Sequence, residues 1–353
     1  NNTGGIVNFQ NSIATHSKLS KNKYKHYRTG KKQKSKFLSI PIIRVIDQLL
    51  SYCYYPLYLL SVKPDVVEIN SSLVPSAFKR DFIYAKITKF IRPKAHLVLF
   101  NHGWNYEFKN TMLKQNRNLL ISYFTIFDSI IVLAKVFKIE LKEELGINQD
   151  KIKIITTGIN LSEYKNYTIH QKKKNRFNVL FLSRIEKTKG IEEFLKAIPI
   201  VLKKHPETHF DIAGTGSFLD EVKTNKIILK YKQSITLCGY VRDIKKLTLF
   251  KNSDIFAFPS YYGEGCPVSV LEAVAVGLPI IYTRVGALPD LLSDKENGIC
   301  ISKKNENDLA LAILKLIEDS HLRREISNNN LVLSKLFDLK IIHDQLEKIY
   351  KNK

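Results

Sequence analysis

The sequence predicts an α/β protein of two doubly wound domains, and three observations predict it. Short β-branched runs alternate with longer helical patterns, as parallel sheets joined by crossover helices require. At 353 residues the chain exceeds what one compact core usually organises, and 44% apolar residues suffice for two cores. A polar, charged and unpatterned stretch over 164–176 reads as the linker, giving domains over 1–165 and 166–330. Open parallel sheets bind ligands at the carboxyl ends of their strands, so two such domains can face each other across a cleft.

Taken in chain order, the sequence opens on a loop-like NNTGG, whose Gly4-Gly5 pair reads as a turn with its preceding strand missing. No charged-then-apolar leader is visible there. Residues 1–170 carry 26 Lys/Arg against 11 Asp/Glu, so most of the net charge of +23 lies in the first half. Within it, 18–36 (KLSKNKYKHYRTGKKQKSK) holds nine Lys/Arg and no acid. Such a run repels itself unless an anionic surface neutralises it. That surface is either an anionic membrane or a nucleic acid, and a plain bias toward Lys, Asn and Ile is the alternative to both. The stretch 37–60 is long and apolar, but Arg44, Asp47, Pro41 and Pro56 interrupt it. It therefore reads as an amphipathic helix, core-facing or lying at an interface, rather than as a membrane span.

Strands are expected in the first half at 65–70, 96–103, 129–134 and 151–158, and in the second at 177–183, 209–216, 234–239, 254–260 and 278–286. Cys53, Cys238, Cys266 and Cys300 form no CxxC pair and no His/Cys cluster, which points to buried, reduced thiols and no metal site.

The loops after these strands carry the chemistry. After 254–260, Gly263 and Gly265 permit a tight turn, Pro267 suits the first position of a helix, and Gly277 with Pro279 ends it. Val268, Val270, Val274 and Val276 alone would suggest a strand, but the punctuation predicts a helix over 267–276. Its start offers free amides and partial positive charge where a phosphate would be stabilised. Glu264 precedes this helix and Glu272 lies more than one turn inside it, so the two do not form a close carboxylate pair. Each can instead accept hydrogen bonds from a different polyhydroxyl part of one ligand, the alternative being a turn residue and a solvent-side residue. After 177–183, LSRIEKTKG places Arg184 and Lys189 before a helix near Gly190, a pair of cations suited to a diphosphate leaving group. Gly214 and Gly216 in AGTGS serve either a ligand or an ordinary turn. His102, at the end of 96–103, either hydrogen-bonds a ligand or is structural.

Together these pieces resemble the retaining glycosyltransferases of family 4, of the two-domain Rossmann-like fold called GT-B. The resemblance covers nearly the whole chain and is carried by the E-x7-E frame from Glu264 to Glu272, with SRIEKTKG, the GTG turn, GYVRDIKKL, GALPDLLSDKENG, the first-domain HG and IITTGINLSEY in order. The pattern is departed from at Thr157, at Val285-Gly286-Ala287 and at Asp290. By position, the resemblance implies that Arg184 and Lys189 hold a nucleotide diphosphate and that Glu264 reads the donor sugar's hydroxyls. Glu272 would take the ribose, and the backbone at Gly265, Cys266, Pro267 and Val268 the sugar or phosphate. It puts Gly4, Gly5, Gly214 and Gly216 on the donor side and His102 on the acceptor side of the reacting carbon. A closing helix, 331–353, would cross back to the first domain.

The implied function is transfer of a sugar, with retention and without a metal or other cofactor, from a UDP- or GDP-sugar to a lipid-linked or growing glycan for envelope polysaccharide or glycolipid. The implied place is the cytoplasmic face of the cell membrane, held there peripherally through 18–36, with no nucleic acid as partner. Two alternatives stand beside it. A nucleotide-sugar epimerase on the same fold needs no membrane patch, and a nucleic-acid-binding protein explains the charge but leaves Glu264 and Glu272 idle.

Overall fold

The computed structural model describes residues 41–167, 176–263 and 265–351, together with 13, 25–27 and 29. The chain divides into two compact units, Asn1–Thr156 with His343–Lys353, and Thr157–Ile342. The N-terminal strand expectation, Gly4, Gly5, Glu264, most of 18–36 and the linker core 168–175 lie outside the described residues.

In the first unit, helix α1 (Pro41–Val62) is the amphipathic helix expected over 37–60, and Pro56 is accommodated inside it. There follow β1 (Val66–Leu73), α2 (Pro75–Ile91), β2 (His96–Trp104), α3 (Tyr106–Gln115), α4 (Arg117–Thr125), β3 (Ser129–Val132), α5 (Lys135–Leu145) and β4 (Ile152–Ile154). The four strands form a parallel sheet in the order β1-β2-β3-β4. The fully buried run from Leu97 to Phe100 shows why the sequence lacks alternation here: a parallel strand covered on both faces is apolar throughout. Phe78, Phe82 and Tyr123 pack their rings above this sheet at centroid separations of 4.5–6.1 Å. At the end of β2 the Trp104 indole donates to Glu140 at 2.9 Å, and buried Lys109 pairs with Glu140 at 2.6 Å and Glu144 at 2.9 Å.

The second unit contains β5 (Asn178–Leu182), α6 (Ile191–Lys204), β6 (His209–Ala213), α7 (Leu219–Lys223), α8 (Lys226–Lys230), β7 (Ile235–Gly239), α9 (Asp243–Asn252), β8 (Ile255–Phe258), α10 (Val268–Ala275), β9 (Ile280–Thr283), α11 (Leu288–Leu291), β10 (Gly298–Ile301), α12 (Glu306–Glu318) and α13 (Ser320–Ser334). Its six strands are parallel, in the order β10-β9-β8-β5-β6-β7. One apolar cluster fills the space between this sheet and α6 and α12, with Phe181, Phe194, Ile198, Phe210 and Ile313 at its centre.

Four expectations are corrected. Strand β10 went unrecognised: it has four residues, begins on Gly298 and pairs only with β9, so it carries little β-branched signal. Gly298 is needed there, since a Cβ would lie 1.8 Å from the Ile280 carbonyl oxygen. The closing segment read from residue 331 is not one helix. Its first residues finish α13, a turn at Lys335–Phe337 intervenes, and α14 (Leu339–Lys351) begins after it. The break has a cause in backbone pairing, because Ile159 N donates to Phe337 O and Leu339 N to Ile159 O, both at 2.9 Å. That pairing, with the packing of 157–167 on the second unit, moves the division to Thr156/Thr157 and Ile342/His343 rather than 165/166 and 330/331. Finally, all four cysteines are free, but none is fully buried: Cys53 is exposed on α1, and Cys238, Cys266 and Cys300 are half-buried.

Candidate functional site

The strand order places a switch point in the second sheet. The chain builds β5, β6 and β7 outward in one direction, then returns to the other side of β5 and builds β8, β9 and β10. The loops leaving β5 and β8 diverge there, and ligands of doubly wound sheets bind in the crevice outside those strand ends. The β5 loop carries Arg184 and Lys189, and the β8 loop carries Gly265, Cys266 and Pro267.

Backbone hydrogen bonds stitch the loops into one rim. Tyr261 N and Tyr262 N, after β8, both donate to Thr188 O, at 3.0 and 3.1 Å. Ser183 N donates to Ala213 O at 3.2 Å, Ile185 N to Thr215 O at 3.1 Å, and Phe218 N to Ile185 O at 3.0 Å, joining the loops after β5 and β6. Ala287 N reaches Gly265 O at 3.2 Å, which adds the loop after β9. Two glycines make these approaches possible. Gly190 has φ +77°, and a Cβ on it would meet Pro259 O at 2.2 Å. Gly214 has φ +141°, and a Cβ would lie 1.8 Å from Ser183 O. The glycine turn AGTGS is thus a tight crossing of two loops, with Gly216 similarly pressed at 2.3 Å from Ile185 O.

On this rim Lys189 is 5% exposed, and its ammonium lies 4.5 Å from the centre of the Tyr262 ring, a cation–π contact that fixes the β5 loop against the β8 loop. Arg184 is exposed and its Nη1 donates to Glu186 at 2.6 Å. The two cations therefore differ: Lys189 is buried in the rim, whereas Arg184 is exposed and ion-paired to Glu186. Cys266, in the β8 loop, has its thiol pushed up to about 11 by burial, against the opposing hydrogen bonds to Thr157. It stays a protonated thiol, so its side chain is not a nucleophile.

Helix α10 starts at Val268, with Pro267 extended at φ −71° as its N-cap and no side-chain cap on its first amides. The valines that suggested a strand are helical because every residue from Val270 to Val276 is buried and Gly277, at φ +81°, closes the turn. Glu272 lies one turn in, about 6 Å along the axis from Val268. It is 4% exposed, and its Oε1 accepts from the Tyr164 hydroxyl at 2.8 Å and from the Lys246 ammonium. Glu272 is therefore no solvent-side residue; two donors orient its carboxylate. Burial and the adjacent Glu272 carboxylate raise the Tyr164 pKa, which keeps that hydroxyl a donor.

In the first unit His102 sits in β2, its ring stacked on Phe100 at 4.0 Å, the two alternating onto one face of the strand. Asn70 Nδ2 donates to Glu68 Oε1 at 2.9 Å, which turns Asn70 Oδ1 toward His102 Nε2, 2.7 Å away. Nε2 must then carry the proton and Nδ1 the lone pair. The Tyr350 hydroxyl donates to the other oxygen of Glu68, so α14 anchors the far end of this relay. Burial holds the His102 pKa down from 6.5 to about 3, and the ring is neutral near pH 7. A base depressed in the folded state contributes stability in full above 6.5 and loses it as pH falls toward about 3. An NMR titration is expected to show the His102 ring neutral from about pH 8 down to about pH 5.

The structure thus brings Arg184, Lys189, Gly214, Gly216, Gly265, Cys266, Pro267 and Val268 to one edge of the second sheet. It sets Glu272 into the helix behind them and His102 at a strand end of the first. Sequence reasoning missed Tyr164, Lys246 and Tyr262, and missed Glu68, Asn70 and Tyr350 around His102. Only the short Glu68–Asn70 spacing gave any local signal, since the other partners meet through the fold.

Residues 163–331 match the family described as "Glycosyl transferases group 1". Among curated proteins, an uncharacterized glycosyltransferase of Methanocaldococcus jannaschii is 28% identical over 222 residues, 59% of this chain and 56% of that protein. The N,N'-diacetylbacillosaminyl-diphospho-undecaprenol alpha-1,3-N-acetylgalactosaminyltransferase of Campylobacter jejuni is 29% identical over 222 residues, 60% of this chain and 57% of that protein. The chain thus spans little more than half the length of these relatives. Among solved structures, a glycosyltransferase from Rickettsia africae superposes with TM-score 0.73 at 19% identity, covering 99% of this chain and 96% of that one. An Anabaena protein solved in complex with UDP gives 0.72 at 18% identity, covering 86% and 82%. The fold is that of the GT-B glycosyltransferases, with two Rossmann-like α/β units.

Proposed function

We propose that this chain, which has the fold of the GT-B glycosyltransferase superfamily, is a retaining glycosyltransferase moving a sugar from a UDP- or GDP-sugar to a lipid-linked or growing glycan. The observation that carries the reading is the switch-point rim of the second unit, where buried Lys189, the Arg184 side chain and the start of α10 converge on one strand edge. A diphosphate leaving group develops negative charge as the glycosidic bond breaks, and preorganised cations and amides stabilise that charge without reorganising. Lys189 and Arg184 take the diphosphate, the backbone at Cys266 to Val268 takes the phosphate or sugar, and Gly214 and Gly216 act on the donor side by letting the loops after β5 and β6 cross. No metal is needed for this charge.

Glu264 accepts hydrogen bonds from the donor sugar, and Glu272, oriented by Tyr164 and Lys246, accepts those of the ribose. The attacking hydroxyl enters from the face the leaving group departs, through an oxocarbenium-like state. Neutral His102, with Nδ1 as acceptor, suits a hydroxyl partner rather than a charged one. Gly4 and Gly5 approach the donor phosphates. The Campylobacter relative's name specifies a diphospho-undecaprenol acceptor, and the Anabaena neighbour holds UDP; both support this choice of acceptor and donor. The place of action is the cytoplasmic face of the cell membrane, for envelope polysaccharide or glycolipid. Attachment there is peripheral, through the basic first half; no described helix is long and apolar enough to cross a membrane.

The test is a screen of UDP-, GDP- and ADP-sugars with polyprenyl-diphosphate glycan acceptors. Release of UDP or GDP, with a product of unchanged anomeric configuration, is the expected result. Consumption of no donor, or epimerisation of the sugar with no acceptor present, would overturn the reading.

A further inference from the structure

Helix α1 presents two opposite faces. One is packed: Tyr55 is buried and Ser51 and Tyr84 share a hydrogen bond at 2.7 Å. The other is bare. Ile46, Leu49, Leu50, Leu57 and Leu60 are each 50–63% exposed, and exposed Cys53 lies among them. At 100° per residue these six positions occupy about 100° of the helix circumference and run roughly 21 Å along it. The helix has only two charged residues, Arg44 and Asp47, at sequence positions that fall outside that arc at 100° per residue. Isolated exposed leucines need no explanation, but a continuous stripe of this length marks a surface that meets something apolar.

One residue of the basic run packs on the same helix. Tyr27, midway along 18–36, donates its hydroxyl to Ser51 O at 2.9 Å and sets its ring 4.9 Å from both Tyr55 and Tyr58. These contacts lie on the packed side of α1. Lys25 and His26, beside Tyr27, are exposed. Tyr27, with exposed Lys25 and His26 beside it, is therefore seated on the packed side of α1, and the sequence around it carries nine Lys/Arg and no acid. An apolar partner such as another helix is served by the stripe alone. A partner that is apolar at one depth and anionic just beside it is the headgroup boundary of an acidic lipid leaflet.

We propose that α1 lies in the plane of an anionic lipid surface, its stripe from Ile46 to Leu60 entering the acyl boundary while the 18–36 run engages the headgroups. This deepens the lipid-borne acceptor reading above and rests on it for its biological sense. The stripe supplies area and the charges supply attraction, so each alone gives weak, reversible binding and both are needed for stable docking.

The experiment is co-sedimentation of the full chain with phosphatidylcholine vesicles with and without phosphatidylglycerol, at low and high salt, and without donor or acceptor. Binding is expected only with phosphatidylglycerol and is reduced by salt. The triple variant Leu49→Ser/Leu57→Ser/Leu60→Ser is expected to lower partitioning about tenfold or more. Replacing Lys31, Lys32, Lys34 and Lys36 with glutamine weakens it separately. As a readout free of substitutions on the stripe, an environment-sensitive fluorophore on Cys53 shifts to the blue when the acidic vesicles are added. Failure to bind acidic vesicles, binding unaffected by the triple variant, an unshifted probe, or a dimer that the triple variant abolishes would each overturn the proposal. Lost vesicle binding with nucleotide binding intact removes this inference alone. Vesicle binding with no nucleotide recognition removes the proposed function alone.

Discussion

Lys189→Ala is expected to lower sugar transfer by about 10²–10³-fold while the protein remains folded. The size follows from what one preorganised charge at a leaving group contributes to the transition state. Lys189 is well suited to that role because its position is decided before any ligand arrives: it is 5% exposed, sits over the Tyr262 ring at 4.5 Å, and ends the turn that Gly190 closes. Losing the cation–π contact costs about 0.5–2 kcal/mol, small beside the kinetic effect. Steady-state transfer and a thermal melt measured on the same preparation separate the two. Exposed Arg184 has to be ordered on binding, so Arg184→Ala is expected to act more weakly than Lys189→Ala. Glu264→Ala is expected to abolish transfer as well, through the donor sugar.

Gly214→Ala is expected to be the most damaging single-methyl change in the second unit. The new Cβ would stand 1.8 Å from Ser183 O at a backbone φ of +141°, so both crowding and conformation oppose it. Together these cost roughly 3–5 kcal/mol. Relief requires the β5 loop to move, and that loop carries Arg184 and Lys189, so nucleotide binding falls with stability. A control separates crowding from conformation. Gly146 also has positive φ, +68°, but a Cβ there meets nothing within 4 Å. Gly146→Ala should therefore cost about 1 kcal/mol. Equal destabilisation by the two changes would show that the loop crossing at Gly214 is not the constraint.

How much was legible in the sequence follows from the range of each interaction. The nine recognised strands are dense in Val, Ile, Leu and Phe because parallel strands are covered on both faces, and that signal is local. Strand β10 has only the edge pairing to β9 and a glycine start, so its signal was too faint. Helix α10 was recovered against its own valines because Pro267 and Gly277 bracket it. The rim cations were legible through the strand–loop–helix pattern that fixes where Arg184 and Lys189 lie. The partners of Glu272 were not, because Tyr164 stands 108 positions away and Lys246 reaches it from α9, across the fold. The same holds for His102, whose tautomer depends on Asn70, 32 positions earlier, and through Glu68 on Tyr350. Charge in 18–36 was obvious, but that Tyr27 packs on Tyr55 and Tyr58 of α1 depends on side-chain packing no spacing rule encodes.

The central claim is that the carboxyl edge of the second sheet grips a nucleoside diphosphate. Calorimetric titration of the full chain and of Lys189→Ala with UDP and GDP tests it most directly. One-to-one binding of at least one nucleotide is expected, weakened about tenfold or more in the variant. Binding of neither nucleotide, or equal affinity with and without the Lys189 ammonium, would contradict it.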